Sequence, residues 1–448
     1  MNIKDNIAKI SWSILDKGLF VLFGLVMLFQ IKNLAPEEFG LFSLLWALNN
    51  WLLVISDSFA LQGIVQFGAN YNLRARINFI ATTLNSVLLL FFPLLLFLIA
   101  VLFEKSLSFN LHNTFFFLPL ITISSIPRTV ILKILTREFR YKEIFFVNLI
   151  YFGSMTALTI FYILELHKLT FNEMLIIFVC GGVLSSIFSI ILAKNSLKFQ
   201  IRNNTQANED SNEDTSFTFR DYTKFSLPMT MISAFNSVPR SLDIFFIELT
   251  MSGGNSTFMI GIYNSAKTLY RVIDEATSAA YSLLYPIAVK YVNIKDFVTL
   301  RKTFIKAISH LLLWFILIVV ASYLGVTEFV ITAILPYKYH LATGIFNILI
   351  LASIPLPFAL LSLVVTANHQ PTTILKFVII SAMVAILFFL IAGYYQSLSL
   401  MPLGIIMYNV TLGALCYNYF KRNYGFPIKD LTQSIFDIKH LVLSFIKK

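Results

Sequence analysis

The chain has 448 residues, of which 57% are apolar and only 13% charged, with a mean hydropathy of +0.78; an ordinary soluble domain carries roughly 25% charged residues. That balance excludes a soluble globular enzyme and a disordered chain. The formal charge of +11 does not make a nucleic-acid binder, because the basic residues are spread through short loops and form no soluble patch.

The first apolar run, LFVLFGLVMLF after Gly18, is long enough to span a bilayer, and no small-residue cleavage site interrupts it before Asn33. It reads as a first membrane helix and not as a cleavable signal peptide. Further runs of about 20 apolar residues follow without the ten-residue alternation of outer-membrane strands, so the predicted fold is all-α and polytopic. The spans are predicted at 10–32, 40–67, 78–103, 113–136, 144–165, 171–194, 223–249, 258–290, 304–325, 341–366, 372–395 and 400–420.

Threading these from a cytoplasmic N-terminus leaves four basic residues outside (Lys32, Lys105, Lys168, Lys338) and five within spans (Lys17, Arg128, Arg240, Lys267, Arg271). The other 25 of the 34 Lys and Arg lie on the cytoplasmic side. An excess of this size predicts that both termini lie in the cytoplasm.

The polar segment from Lys194 to Lys224 is rich in Asn, Asp, Glu, Ser and Thr. It is expected to be a cytoplasmic linker, residues 195–222, joining two six-helix bundles at 1–194 and 223–420 around a central cavity. FGLFSLL at Phe39 and IGIYNSA at Ile260 each open the second helix of a half, after the breaks NLAPEEFG and TMSGGNSTFMIG, as repeated transporter halves do. In the tail, 421–448, Ile428, Leu431, Ile435, Ile438, Val442 and Phe445 share a helical spacing, which fits an amphipathic helix on the inner leaflet or one packed beneath the bundle.

The charges inside spans are the candidate functional residues. On 258–290, Lys267, Arg271 and Asp274 fall at i, i+4 and i+7 and form one stripe, with Glu275 beside it. The seventh span carries Arg240 and Asp243 with Pro239, the fourth Arg128 after Pro127, the first Lys17 beside Asp16, and the second Asp57. An unpaired charge at mid-membrane costs about 2.5–3.5 kcal/mol on insertion scales, so each needs a partner or a wet cavity. Arg240 with Asp243, and Arg271 with Glu275 or Asp274, can pair locally. Lys267 and Arg128 lack an acid on their own helices and fit a water-filled cationic cavity; Lys17 fits either that cavity or snorkelling to the interface. Arg and Lys in such a cavity suit an anionic ligand, and Arg suits phosphate in particular. Asp57, with no base nearby in sequence, is the leading candidate for a proton site, the alternative being a bond to a neighbouring helix; Asp243, Asp274 and Glu275 are the other coupling or ion-pair carboxylates.

No Gly-rich phosphate loop, HExxH, GxSxG or CxxC occurs, so neither catalysis, nor a metal, nor any cofactor is expected. Cys180 and Cys416 both fall inside spans and read as small apolar fillers.

The run NLAPEEFGLFSLL resembles the signature LGPEEFGLYSLL between the first two helices of the polysaccharide flippases in the multidrug/oligosaccharidyl-lipid/polysaccharide exporter (MOP) superfamily, with Ala35 in place of a Gly. FSLPMTMISAFNSVPRSLDIFFIE and IGIYNSAKTLYRVIDEATSAAYSLLYPI are similar to that family's seventh and eighth helices, Asp243 matching the Asp of its RLD element although Ser241 and Leu242 separate it from Arg240. LTREFRYKEIFFVNL is similar to its basic loop between helices 4 and 5. The resemblance covers roughly residues 1 to 300. It implies an inner-membrane flippase for polyprenyl-pyrophosphate-linked oligosaccharide, such as an O-antigen or capsule repeat unit, using a cationic cavity and alternating access, with membrane lipids and glycan polymerase or ligase machinery as partners and no nucleic acid. Two other functions compete with it: a drug or cation exporter of the same superfamily, which would favour an acidic cavity, and a membrane glycan polymerase or ligase, which would carry a large external loop.

Overall fold

Runs of about 20 apolar residues leave no water to satisfy backbone N–H and C=O groups, and intrahelical hydrogen bonding is what remains. The computed structural model describes residues 3–68, 73–166, 169–194, 196–197, 219–251, 255–368, 370–425 and 429–431, and every regular element among them is helical. In chain order these are α1 (Ile3–Asn33), α2 (Pro36–Ser56), α3 (Gln62–Phe67), α4 (Arg74–Leu102), α5 (Phe109–Arg137), α6 (Tyr141–Leu166), α7 (Phe171–Ala193), α8 (Phe219–Asn236), α9 (Asp243–Thr250), α10 (Ser256–Asn293), α11 (Phe297–Ala321), α12 (Thr327–Ile334), α13 (Ala342–Leu349), α14 (Leu356–Ala359), α15 (Ser362–Ala367), α16 (Pro371–Tyr394) and α17 (Met401–Tyr424). Three joins are not loops: π-helical segments Asp57–Leu61, Val238–Leu242 and Ser322–Val326 carry α2 into α3, α8 towards α9, and α11 into α12.

The protein is an all-α polytopic membrane protein. Among the described residues eight helical stretches are long and apolar enough to cross a bilayer, and a ninth is the pair Ala342–Ser353 and Leu356–Ala367, bent by 43°. The three other long helical passages, α1, α8 to α9, and α10, are those that carry Asp16 and Lys17, Arg240 and Asp243, and the stripe of α10.

Contact clustering separates two compact units, Met1–Ser237 and Val238–Lys448. In the first, the APEEFG run has a local cause: Pro36 opens α2 at a position that needs no N–H donor. Glu38 then accepts from the backbone N–H of Phe171 at 2.6 Å, and the N-terminus of α7 is closed by a capping box between Thr170 and Glu173. Within that unit α8 packs against α2, α3 and the π-helical segment Asp57–Leu61. Its Tyr222 is fully buried among Ala60, Leu61, Ile64, Ile77, Val130 and Ile134, and donates to the carbonyl of Ala60 in the π-helical segment. Phe225 stacks edge-on to Phe67 at 5.2 Å. Gly63 is where the ring of Tyr222 passes, with no space for a Cβ.

In the second unit α10 runs for 38 residues, past the break in α13–α15 at Pro355 and Pro357. The break leaves carbonyls to be satisfied from outside its own helix: Tyr281 of α10 donates to Ala359 O at 2.6 Å, and Asn409 of α17 donates to Ala352 O at 3.1 Å. The ninth span does not end near 325; it kinks at Gly325, with φ of 100°, and continues as α12.

Of the expected linker, 195 and 198–218 lie outside the described residues, as does most of the predicted amphipathic tail, 426–428 and 432–448.

Candidate functional site

In the second unit the stripe of α10 meets α9. Asp243 is completely buried, and both of its carboxylate oxygens lie 2.6 Å from Lys267 Nζ. Tyr263, one turn before Lys267, donates its hydroxyl to Asp243 Oδ2 at 2.7 Å. Lys267 was expected to lack an acid on its own helix, and its partner indeed comes from another: Asp243 of α9, 24 positions away, supplies the compensation that a wet cavity was expected to give. The expected pair of Arg240 with Asp243 is therefore corrected. Arg240 lies inside the π-helical segment, whose wider turn takes it out of the i, i+3 register, and it is exposed.

One and two turns beyond Lys267, Arg271 and Asp274 are half-buried and Glu275 is exposed. None of the three is within the 4.0 Å of an ion pair, so the expected bridge from Arg271 to Glu275 or Asp274 is absent among the described residues. The groups still act on one another at longer range, Asp274 lying in the fields of Arg240, Lys267 and Arg271. This cluster thus brings three bases and three acids together, and among the described residues two of the bases, Arg240 and Arg271, make no ion pair.

The first unit holds two smaller polar clusters. Arg128 Nη2 donates to Asn148 Oδ1 at 2.7 Å, and Asn148 Nδ2 donates to Asp16 Oδ1 at 2.7 Å. The guanidinium also stacks over Tyr151, 4.0 Å from the ring centroid. Arg128, expected to lack an acid on its own helix, is linked to the acid of α1 through an amide on α6. Lys17 is exposed beside the ring of Phe20 and takes no part in that relay. Asp57, expected to have no base, makes a 2.9 Å ion pair with Lys133 of α5, with 35% and 25% of the two side chains exposed.

The residues that sequence reasoning passed over are Lys133, Asn148 and Tyr263. Tyr263 was within reach, since it sits four positions before Lys267 on the same helix face. Lys133 and Asn148 depend on which helices pack together, which no spacing within one helix reveals.

Comparison with solved structures identifies the fold. The chain is similar to an inward-facing multidrug resistance MATE family transporter of the MOP superfamily, with a TM-score of 0.73 and 12% identity over 92% of this chain and 95% of that one. It is also similar to the lipid II flippase MurJ in an inward closed conformation, with a TM-score of 0.70 and 15% identity over 97% and 92%. A third likeness is to a MOP superfamily transporter from Pyrococcus furiosus, described as having a binding pocket of reversed polarity, with a TM-score of 0.61 and 15% identity over 93% and 94%. No family model matches the sequence, and no curated protein matches it significantly. The chain has the fold of MOP-superfamily transporters.

Proposed function

We propose that this protein is a flippase that moves a polyprenyl-pyrophosphate-linked oligosaccharide, of the O-antigen or capsule repeat-unit kind, from the inner to the outer leaflet of the cytoplasmic membrane by alternating access. The observation that carries this reading is that Arg240, in the helical segment before α9, and Arg271, on the 38-residue α10, are flanked by apolar sequence and make no ion pair among the described residues. Guanidinium groups in such a setting are costly unless water or a ligand compensates them, and their planar fork of donors matches phosphate oxygens in pairs. The fold likeness to a lipid II flippase supports the same class of cargo. The sugars would be solvated by the polar groups of the path while the polyprenyl chain stays in hydrocarbon, and glycan polymerase or ligase machinery would receive the product. The basic-residue bias supports a cytoplasmic location for both termini.

The test is surface glycan in a strain that depends on this protein. Arg240→Gln and Arg271→Gln should each lower it at least several-fold while membrane abundance stays unchanged. Wild-type glycan in both variants at native expression would end the proposal.

A second reading, export of a drug or other organic cation, is favoured by the likeness to a multidrug transporter and by the three acids, Asp243, Asp274 and Glu275, that stand beside the three bases of the cluster. It predicts increased drug susceptibility in a deletion strain with surface glycan intact, the opposite pattern.

A further inference from the structure

The three bases of this cluster are not in the same condition. Among the described residues Arg240 and Arg271 make no ion pair, whereas the ammonium of Lys267 is chelated by both oxygens of Asp243 at 2.6 Å. Two oxygens of one anion around one ammonium is also the contact that a phosphate would make. The carboxylate keeps a second donor, the Tyr263 hydroxyl at 2.7 Å, which does not depend on Lys267. A third donor stands nearby in the chain. Arg240 precedes Asp243 by three positions, a spacing that pairs side chains in an α-helix, and only the π-helical segment Val238–Leu242 holds it out of that register. Asp243 therefore has one partner engaged, one hydroxyl that stays, and one guanidinium that a return to α-helical winding would deliver.

We propose that Asp243 is an internal stand-in for the anionic head group. In the empty protein it occupies Lys267; when a pyrophosphate arrives, Lys267 passes to the phosphate oxygens, and Asp243 retains Tyr263 and takes Arg240. This rests on the reading that the basic residues of this unit bind an anionic head group, and it adds the residue that sets their affinity and selectivity. Stripping one partner from a buried ion pair is costly, so weakly charged or neutral lipids would leave the pair closed. Only a ligand dense in negative charge would open it. Its apparent affinity is reduced by the fraction of protein in which Lys267 is free.

The experiment is binding of farnesyl pyrophosphate to the full-length protein in nanodiscs, with farnesol as the uncharged control. Asp243→Asn should bind roughly tenfold tighter than wild type, because Lys267 is no longer shared. Adding Lys267→Met to it should remove the gain. Tyr263→Phe should shift affinity the other way, by about threefold, because the carboxylate then leans harder on Lys267. That variant keeps the test open should Asp243→Asn fail to fold; unchanged binding in Tyr263→Phe would then overturn the proposal. Arg271→Gln separates the two levels of the argument. If it weakens binding while Asp243→Asn leaves it unchanged or weaker, the stand-in is wrong and the head-group site survives. If Arg271→Gln has no effect, the head-group site itself fails.

Discussion

Each unit contains a lysine–carboxylate pair beside a π-helical segment, and the two pairs live in different surroundings. Asp57 begins its segment and meets Lys133 at 2.9 Å with about a third of its side chain exposed. Asp243 follows its segment and meets Lys267 at 2.6 Å with none exposed. Solvent screens the first pair, so it contributes little to stability and its partners are free to exchange. The second is sealed, and each partner depends on the other for its place in the protein. The same two residue types are thus a loose contact in one unit and a structural commitment in the other.

The largest effect follows from breaking the sealed pair. Lys267→Ala leaves a buried carboxylate with the Tyr263 hydroxyl but no countercharge in contact, and should destabilise the second unit by about 3–5 kcal/mol, seen as a large drop in melting temperature of the purified protein. Without such a drop, Asp243 is less dependent on Lys267 than the geometry says. It follows that Lys267→Ala is a poor probe of substrate contact, although sequence spacing alone recommends it beside Arg240→Ala and Arg271→Ala. The paired change Asp243→Asn with Lys267→Met should recover most of the loss, because a neutral pair of similar volume avoids the desolvation of two charges.

Next in size is Gly63→Ala. Its methyl group would meet the ring of Tyr222, and overpacking of that kind costs about 1–3 kcal/mol. Limited proteolysis near α8 should accelerate, and a Tyr222→Ala background should erase the difference. Lys133→Ala at the solvated pair should cost less, about 0–1 kcal/mol. A melting shift as large as that of Lys267→Ala would remove the distinction between the pairs.

The smallest effect lies outside the spans. Asp296 caps α11, accepting from Thr299 N at 3.0 Å. The Thr299 hydroxyl and backbone N–H hold its carboxyl below the ordinary value of 3.8. A depressed folded value means the cap contributes fully above that ordinary value and is lost as pH falls through and below it. Asp296→Ala should therefore melt slightly below wild type at neutral pH, and the gap should close towards pH 3.

The fold was largely legible because membrane spans are written in contiguous residues. The ranges 171–194, 372–395 and 400–420 fall within a few residues of α7, α16 and α17. The charged faces were legible too, since Lys267 and Arg271 are four apart. What the sequence hid is partnership between helices. Lys267 with Asp243, Lys133 with Asp57, and Arg128 with Asp16 through Asn148 each join residues 24 or more positions apart or pass through a neutral amide, and helical periodicity cannot rank such pairs. The π-helical segments were hidden for a related reason. At Val238–Leu242 the wider winding shifts the register by one residue, so Arg240 and Asp243 remain neighbours in sequence and lose contact in space.

The central claim is that the protein moves an anionic lipid-linked glycan using the unpaired guanidinium groups of the second unit. It is tested most directly by reconstituting the purified protein into liposomes and following the leaflet distribution of a fluorescent polyprenyl-pyrophosphate-linked oligosaccharide. The account predicts that wild type speeds its appearance in the opposite leaflet and that Arg240→Gln/Arg271→Gln returns the rate to that of protein-free liposomes. Equal rates for wild type and the double variant would contradict it.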